Sequence, residues 1–227
     1  SFQTGKRFYE AVTPEILTVL RTVTEKHNLP LAQTWASCSK EKGGCPNPNS
    51  DIPCVSVIDS ACYIRDQRVL EFHKACSEHH LSRGQGGIIG QALETNQPCF
   101  AADVSEFSKT DYPLAHHAKM FGLRGAVAIR VCSIYQEINH CVLEFYLPTD
   151  LEEAGLSFHE KIWESISMVI QKTCRSFKLI TAKNEIREED SWFSQIVNPQ
   201  QRRIEEVLLN FGEETRKERK CLTNWSN

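Results

Sequence analysis

No uninterrupted apolar run in the chain approaches the roughly 18–20 residues that a membrane-spanning helix requires, and Ser1 to Arg7 lack the apolar stretch of a secretory signal. Neither a membrane association nor a secretory route is expected. An excess of one charge is also missing: 26 Lys and Arg stand against 29 Asp and Glu, a formal net charge of −3. That balance gives no general electrostatic reason to grip DNA or anionic lipid, so direct nucleic-acid binding is not expected. Although there are ten cysteines, no CxxC pair occurs, and Cys38, Cys45, Cys54 and Cys62 are too widely spaced for the usual zinc pattern. The remaining cysteines are scattered through apparent strands and helices and read as reduced, mostly buried thiols, so no metal site is expected. Cys76 and Cys99 come nearest to a redox pair, but no complete set of acid, base and nucleophile accompanies them, so neither an enzyme nor a cofactor is expected.

What is present is ordinary globular composition, 41% hydrophobic and 24% charged over 227 residues, enough for a sizeable core. Thr13 and Pro14 read as the cap and first residue of an amphipathic helix over about 14–27, with Ile16, Leu17, Leu20 and Val23 at helical spacing. An extended segment containing Trp35, a Gly- and Pro-rich loop over 39–52 and a strand over 54–64 follow, then a short helix over about 71–79. The run at 125–132 and the alternating segment at 141–147 form an antiparallel hairpin, with Leu143, Phe145 and Leu147 on one face and Val142, Glu144 and Tyr146 on the other. Ser157 and Glu160 make a capping box for a second long helix over about 158–179, and 200–211 carries a further amphipathic pattern. The reading is an α+β domain over 1–180, with a five- or six-stranded antiparallel sheet flanked by amphipathic helices, then a charged, helical extension or linker over 181–227. Unpaired amphipathic faces would allow a homodimer.

Gly84, Gly86, Gly87 and Gly90 resemble a dinucleotide fingerprint only superficially, because no βαβ unit frames them. They read instead as a tight turn beside a pocket. Paired histidines occur at 79/80 and 116/117. In an arbitrary domain such residues are more often half-buried hydrogen-bonding groups than ligands, and no metalloprotease spacing accompanies them. Arg83 has surface acids, Glu78 and Glu94, near it in sequence as alternative partners.

Several motifs occur in order: the Trp35 segment, the stretch from Phe72 to Gly86 with His79-His80-Leu81, Cys99-Phe100, Thr110-Asp111-Tyr112-Pro113, and the strand from Leu143 to Pro148. Together they resemble the GAF-like sensor region of plant NIN-like proteins, over roughly 15–179. Members are RWP-RK transcription factors of nitrate signalling, found in nucleus and cytoplasm. The resemblance implies a GAF-like fold and direct nitrate binding that changes the activity of an attached RWP-RK DNA-binding region. No Arg-Trp-Pro-Arg-Lys string occurs in the chain, which would make it an isolated sensor domain. The family's nitrate contacts map to His79, Leu81 and Tyr112, and a family Trp aligns with Leu70. That departure removes an aromatic face and an indole N–H.

Nitrate is planar, with three acceptor oxygens and no donor, so a selective site needs converging donors in a largely apolar cleft. His79, Tyr112, Arg83 and the amides of the glycine turn are the candidate donors. A protonated imidazole would add a charge-assisted bond, linking anion binding to proton uptake. At the ceiling of about −1.5 kcal/mol per heavy atom, four atoms give roughly −6 kcal/mol, a Kd on the order of tens of micromolar.

Overall fold

The computed structural model describes residues 2–38, 54–82, 84–133, 140–148 and 155–179; only the backbone is described for 2–11, 133, 140 and 155–160. The 39–52 loop, Arg83 and the whole 181–227 extension, including the amphipathic 200–211 segment, lie outside the described residues. Among the described residues no helix is long and apolar enough to cross a membrane.

Six antiparallel strands run in the spatial order β3 (Leu81–Ser82), β2 (Cys54–Ile64), β1 (Leu31–Ser37), β6 (His140–Tyr146), β5 (Ala126–Ser133) and β4 (Cys99–Ala101). A short seventh, β7 (Phe177–Leu179), pairs with the far end of β5. β5 and β6 form the expected antiparallel hairpin, with Ala126 opposite Tyr146 through Cys132 opposite His140.

Both faces of the sheet are buried, which explains why alternation in β6 shows apolar residues on either side. On one face, Leu143 and Phe145 meet α1 (Phe2–His27) and α5 (Gly155–Thr173) through Ile16, Leu20, Ile162 and Ile166. On the other, Val142 and Tyr146 meet α2 (Leu70–Ser77), α3 (Gly87–Thr95) and α4 (Ala115–Met120). The apolar stripes of the two long helices are thus spent on the sheet, and the only large apolar side chains exposed among the described residues are Met120 and Met168.

Two helix boundaries differ from the sequence reading. The first helix begins at Phe2, and Pro14 lies inside it rather than at its start. Pro14 lies on the solvent-exposed side of the helix, which continues through it. The second long helix starts at Gly155, which puts Ser157 inside the helix rather than at its cap, and stops at Thr173 rather than 179. Its end has a visible cause: the carboxylate of Glu15 on α1 accepts the backbone N–H groups of Arg175 and Ser176 at 2.9 and 3.0 Å and the Ser176 hydroxyl at 3.0 Å. Those amides are taken by a side chain from another helix, and the chain turns into β7.

Arg130, which interrupts the apolar run of β5, is buried and faces α3. Its Nη1 donates to the Leu93 carbonyl at 3.0 Å and to Asn96 Oδ1, the residue that ends α3 in the left-handed conformation. A buried cation at a helix C-terminus satisfies carbonyls the helix leaves open and complements its dipole.

A buried polar chain and a histidine cluster

The glycine turn is positioned by what it packs against. Gly87 has φ +53°, and a Cβ there would stand 2.9 Å from Cδ2 of Tyr112. A Cβ on Gly86 would meet the Gly90 nitrogen and the Ser82 carbonyl, each at 2.8 Å. The amide of Gly87 also donates to the Asp111 carbonyl at 2.8 Å, so the start of α3 and the segment carrying Tyr112 are clamped together. Substituting Gly87→Ala combines a strained backbone with a clash against an aromatic ring, and is expected to cost about 1–2 kcal/mol in chemical unfolding.

Tyr112 is fully buried, and its hydroxyl meets the hydroxyl of Tyr146 on β6 at 2.8 Å. Burial pushes both phenols well above their ordinary range, and the neighbouring Glu144 adds to the shift. Both remain protonated donors. Leu81 is fully buried in the same core, with Trp35, Phe72 and Tyr146.

Beside these phenols lies a polar chain that sequence reading did not identify. Glu144 is wholly buried in β6, directly opposite Gln33 in β1. Its Oε2 accepts from Gln33 Nε2 at 2.8 Å and from the Trp35 indole at 2.7 Å, while Oε1 has no hydrogen-bond partner among the described residues. Burial raises the pKa of Glu144, against the opposing pull of Gln33, Trp35 and Tyr146. Gln33 Oε1 in turn accepts from Nδ1 of buried His73 at 2.9 Å. The other ring nitrogen of His73 is 3.7 Å from the exposed carboxylate of Asp59. Burial lowers the His73 pKa and Asp59 partly restores it. The result is a continuous polar chain from solvent at Asp59 to the interior at Glu144. The one signal in sequence was a carboxylate at an inward position of an otherwise apolar strand, flanked by Val142 and Tyr146 on the same face.

His79 follows α2 and is half-buried; its Nδ1 is 2.7 Å from the Ala75 carbonyl. A carbonyl can only accept, so Nδ1 carries the proton, and Nε2 of the neutral ring is a lone pair. The ring lies edge-on to His117 of α4, centroids 6.0 Å apart, and His117 is 3.9 Å from His116. The pKa of His117 is lowered by burial first, then by His116 and His79, with Glu78 opposing. An anion beside these rings would offset that repulsion and favour protonation of His117.

The residues carried over from the family are therefore placed as follows. Leu81 and Tyr112 share one core, and His79 sits at the helix end beside α4, the helix that Tyr112 precedes. Leu70 is half-buried at the start of α2, with roughly 11 Å of helix axis between it and the end of α2 at Ser77. Arg83 lies outside the described residues. Cys76 is buried beside Glu144, and desolvation pushes its thiol well up, the wrong environment for a redox nucleophile. One further group of ligating atoms is formed by Cys38, Cys54 and His80, all within 4.8 Å of one another.

A family model described as the NLP protein GAF domain matches residues 3–178, a span that includes His79, Leu81 and Tyr112. Among curated proteins, the chain is 44% identical over 194 residues to Protein NLP1 of Oryza sativa subsp. japonica, covering 85% of this chain and 20% of that protein. It is 41% identical over 151 residues to Protein NLP7 of Arabidopsis thaliana, covering 61% of this chain and 16% of that one. The chain thus spans about a fifth of the length of the relatives it matches. Among solved structures it is similar to a GAF domain/HD domain protein from Geobacter sulfurreducens, with 10% identity and a TM-score of 0.47, covering 71% of this chain and 91% of that one.

Proposed function

This chain belongs to the family of NLP-protein GAF domains, and from that premise we propose that it is a regulatory domain that binds nitrate and relays the event to an attached RWP-RK DNA-binding region. The observation that carries the reading is the meeting of His79 with His116 and His117, three imidazoles from two elements far apart in sequence, beside the segment that carries Tyr112. In this reading His79 and its neighbours supply charge-assisted donors, and the buried phenol pair of Tyr112 and Tyr146 supplies neutral ones. Leu81 contributes apolar wall, and Leu70 does the same from the other end of α2. Arg83, next to the glycine turn in sequence, adds a cation.

Because the ligand-facing groups sit on α2, α4 and the turn between β3 and α3, nitrate would bias the relative positions of three short elements packed on one face of the sheet. Only a difference in affinity between two such arrangements can transmit a signal. The reading requires no catalytic step and no cofactor, and it places the protein's action in nucleus and cytoplasm, where a transcription regulator is made and used.

Isothermal titration of this chain with sodium nitrate, against sodium chloride as control, tests it. Saturable heat with nitrate alone is expected, with a Kd no tighter than the order of ten micromolar that four heavy atoms permit. His79→Ala and Tyr112→Phe are each expected to weaken binding at least tenfold, about the 1.4 kcal/mol of one hydrogen bond to a charged group. Absence of nitrate heat in a folded wild-type chain overturns the reading, and so does heat unchanged in both variants.

A further inference from the structure

The ends of β1 and β2 and the segment leading into β3 bring together three side chains of metal-ligating type, apart from those assigned above to nitrate. Cys38 follows β1 directly, and Cys54 opens β2. The two strands pair antiparallel, Ser37 opposite Val55, and the amide of Cys38 donates to the Cys54 carbonyl at 3.0 Å. On the other edge of β2, Cys54 is paired with Ser82. His80, two residues before Ser82, thereby comes within reach, and its Nδ1 is 3.1 Å from the Cys38 sulfur. All three ligating atoms lie within 4.8 Å of one another, and all three residues are half-buried.

From this geometry we infer that Cys38, Cys54 and His80 form a zinc site. The donor chemistry is specific: two thiolates and one neutral imidazole cancel the charge of Zn²⁺, and soft sulfur ligands select against Ca²⁺ and Mg²⁺. Bond lengths of about 2.3 Å to sulfur and about 2.0 Å to nitrogen place tetrahedral ligand atoms roughly 3.5–3.8 Å apart. The Cys38 sulfur stands 3.1 Å from His80 Nδ1 and all three ligating atoms lie within 4.8 Å of one another, a range that includes that spacing. Three protein ligands leave the fourth position to water or another donor. Half-burial gives an ion access while the strand pairing holds the sulfurs in place.

The consequence is mechanical. The ligands come from β1, β2 and the segment into β3, so an ion would tie that segment to the sheet edge at three points. The same segment carries His79 on one side of His80 and Leu81 on the other. Zinc would therefore fix the placement of residues assigned above to the anion, without touching the anion itself. The site stands whether or not nitrate binds, since it rests on different atoms.

The reduced 227-residue chain, stripped with a chelator and desalted, is titrated with Co²⁺ as the spectroscopic probe and then with Zn²⁺. One Co²⁺ per chain is expected, with intense thiolate-to-cobalt charge-transfer absorption that Zn²⁺ abolishes. Cys38→Ser, Cys54→Ser and His80→Asn are each expected to weaken Zn²⁺ binding by more than the about 10–100-fold that outer-sphere changes cost. Cys62→Ser, on β2 but outside the cluster, is expected to bind as wild type. Far-ultraviolet circular dichroism establishes that each variant is folded, and three ligand variants make the test independent of any one of them. The inference is overturned if the reduced chain takes up no metal, or if uptake survives Cys38→Ser and Cys54→Ser. It is also overturned if chain trapped with an alkylating agent directly from cells carries a Cys38 to Cys54 disulfide. None of these outcomes depends on nitrate, whose binding is read separately by titration.

Discussion

Nitrate affinity is expected to fall as pH rises, because the pKa of His117 is lowered and an anion beside its ring favours the protonated form; titration in buffers of different ionisation enthalpy is expected to report proton uptake on binding. What His79 adds depends on which of its nitrogens is free. Nδ1 of His79 is committed to the Ala75 carbonyl at 2.7 Å, so a neutral ring turns a lone pair, not a donor, toward an incoming oxygen at Nε2. Only the imidazolium form can donate there. The groups around His117 act in a known sense: burial lowers its pKa most, His116 and His79, whose ring is 6.0 Å away, lower it further, and Glu78 opposes them. An anion among the three rings removes part of that repulsion and draws the proton in. His79→Gln keeps a neutral donor at the position and is expected to retain some binding, whereas His117→Gln is expected to flatten the pH dependence. Affinity in the wild type that is constant from acid to mildly alkaline pH would rule out the imidazolium mechanism.

The second large effect concerns Glu144. Replacing it with glutamine is expected to stabilise the domain at mildly alkaline pH by about 2–3 kcal/mol, the scale of a buried carboxylate without a cationic partner, and to remove a pH slope from the unfolding free energy. The direction follows from burial. The carboxyl is wholly enclosed and its pKa is raised in the folded protein, so the native state retains a proton that the unfolded chain releases. Stability from this group is complete below the ordinary carboxylate range and is lost as pH rises toward the raised value. The glutamine amide keeps one oxygen for Gln33 and Trp35, whose bonds of 2.8 and 2.7 Å hold β1 against β6, and it never ionises. His73 works in the opposite sense: its pKa is lowered by burial, so its contribution is present above the ordinary imidazole value and is lost as pH falls below it. Urea unfolding across pH separates the two, because Glu144→Gln removes only the loss that sets in as pH rises above the ordinary carboxylate range. That loss persisting unchanged in the variant would show that Glu144 is not the group responsible.

These effects share a physical link to anion binding. A carboxylate at Glu144 would repel nitrate near the Tyr112 and Tyr146 hydroxyls, whereas the protonated acid would not. Its Oε1 has no partner among the described residues, so the neutral acid is also a donor in waiting. The interior of this face is thus suited to an anion only in its proton-rich state, which reinforces the direction expected from His117.

Much of the architecture was legible in the amino-acid order because it depends on local periodicity. The Cys54 to Ile64 strand, the hairpin around 125–147 and its two opposing faces follow from alternation, and the glycine turn follows from backbone conformations that only glycine adopts cheaply. The end of α5 was not legible, because it is set by Glu15, a residue from the other end of the domain that captures the amides of Arg175 and Ser176. Periodicity likewise placed the start of the first helix at Pro14, since proline marks a favourable first position but is also tolerated on an exposed helix face.

The same division holds at the candidate site. Sequence alone determined the residue types available to an anion, histidines at 79, 116 and 117 and a tyrosine at 112, and the family resemblance assigned His79, Leu81 and Tyr112 to nitrate. Only the tertiary structure decided that the tyrosine hydroxyl turns inward to Tyr146, that His79 spends one nitrogen on Ala75, and that Leu70 stands at the far end of α2. It also decided that Cys38, Cys54 and His80 converge, a grouping invisible to sequence spacing because strand pairing across β1, β2 and β3 creates it. Local pattern fixes which groups a segment offers; their protonation and partners depend on burial and on neighbours contributed by distant segments, which exist only once the sheet has closed.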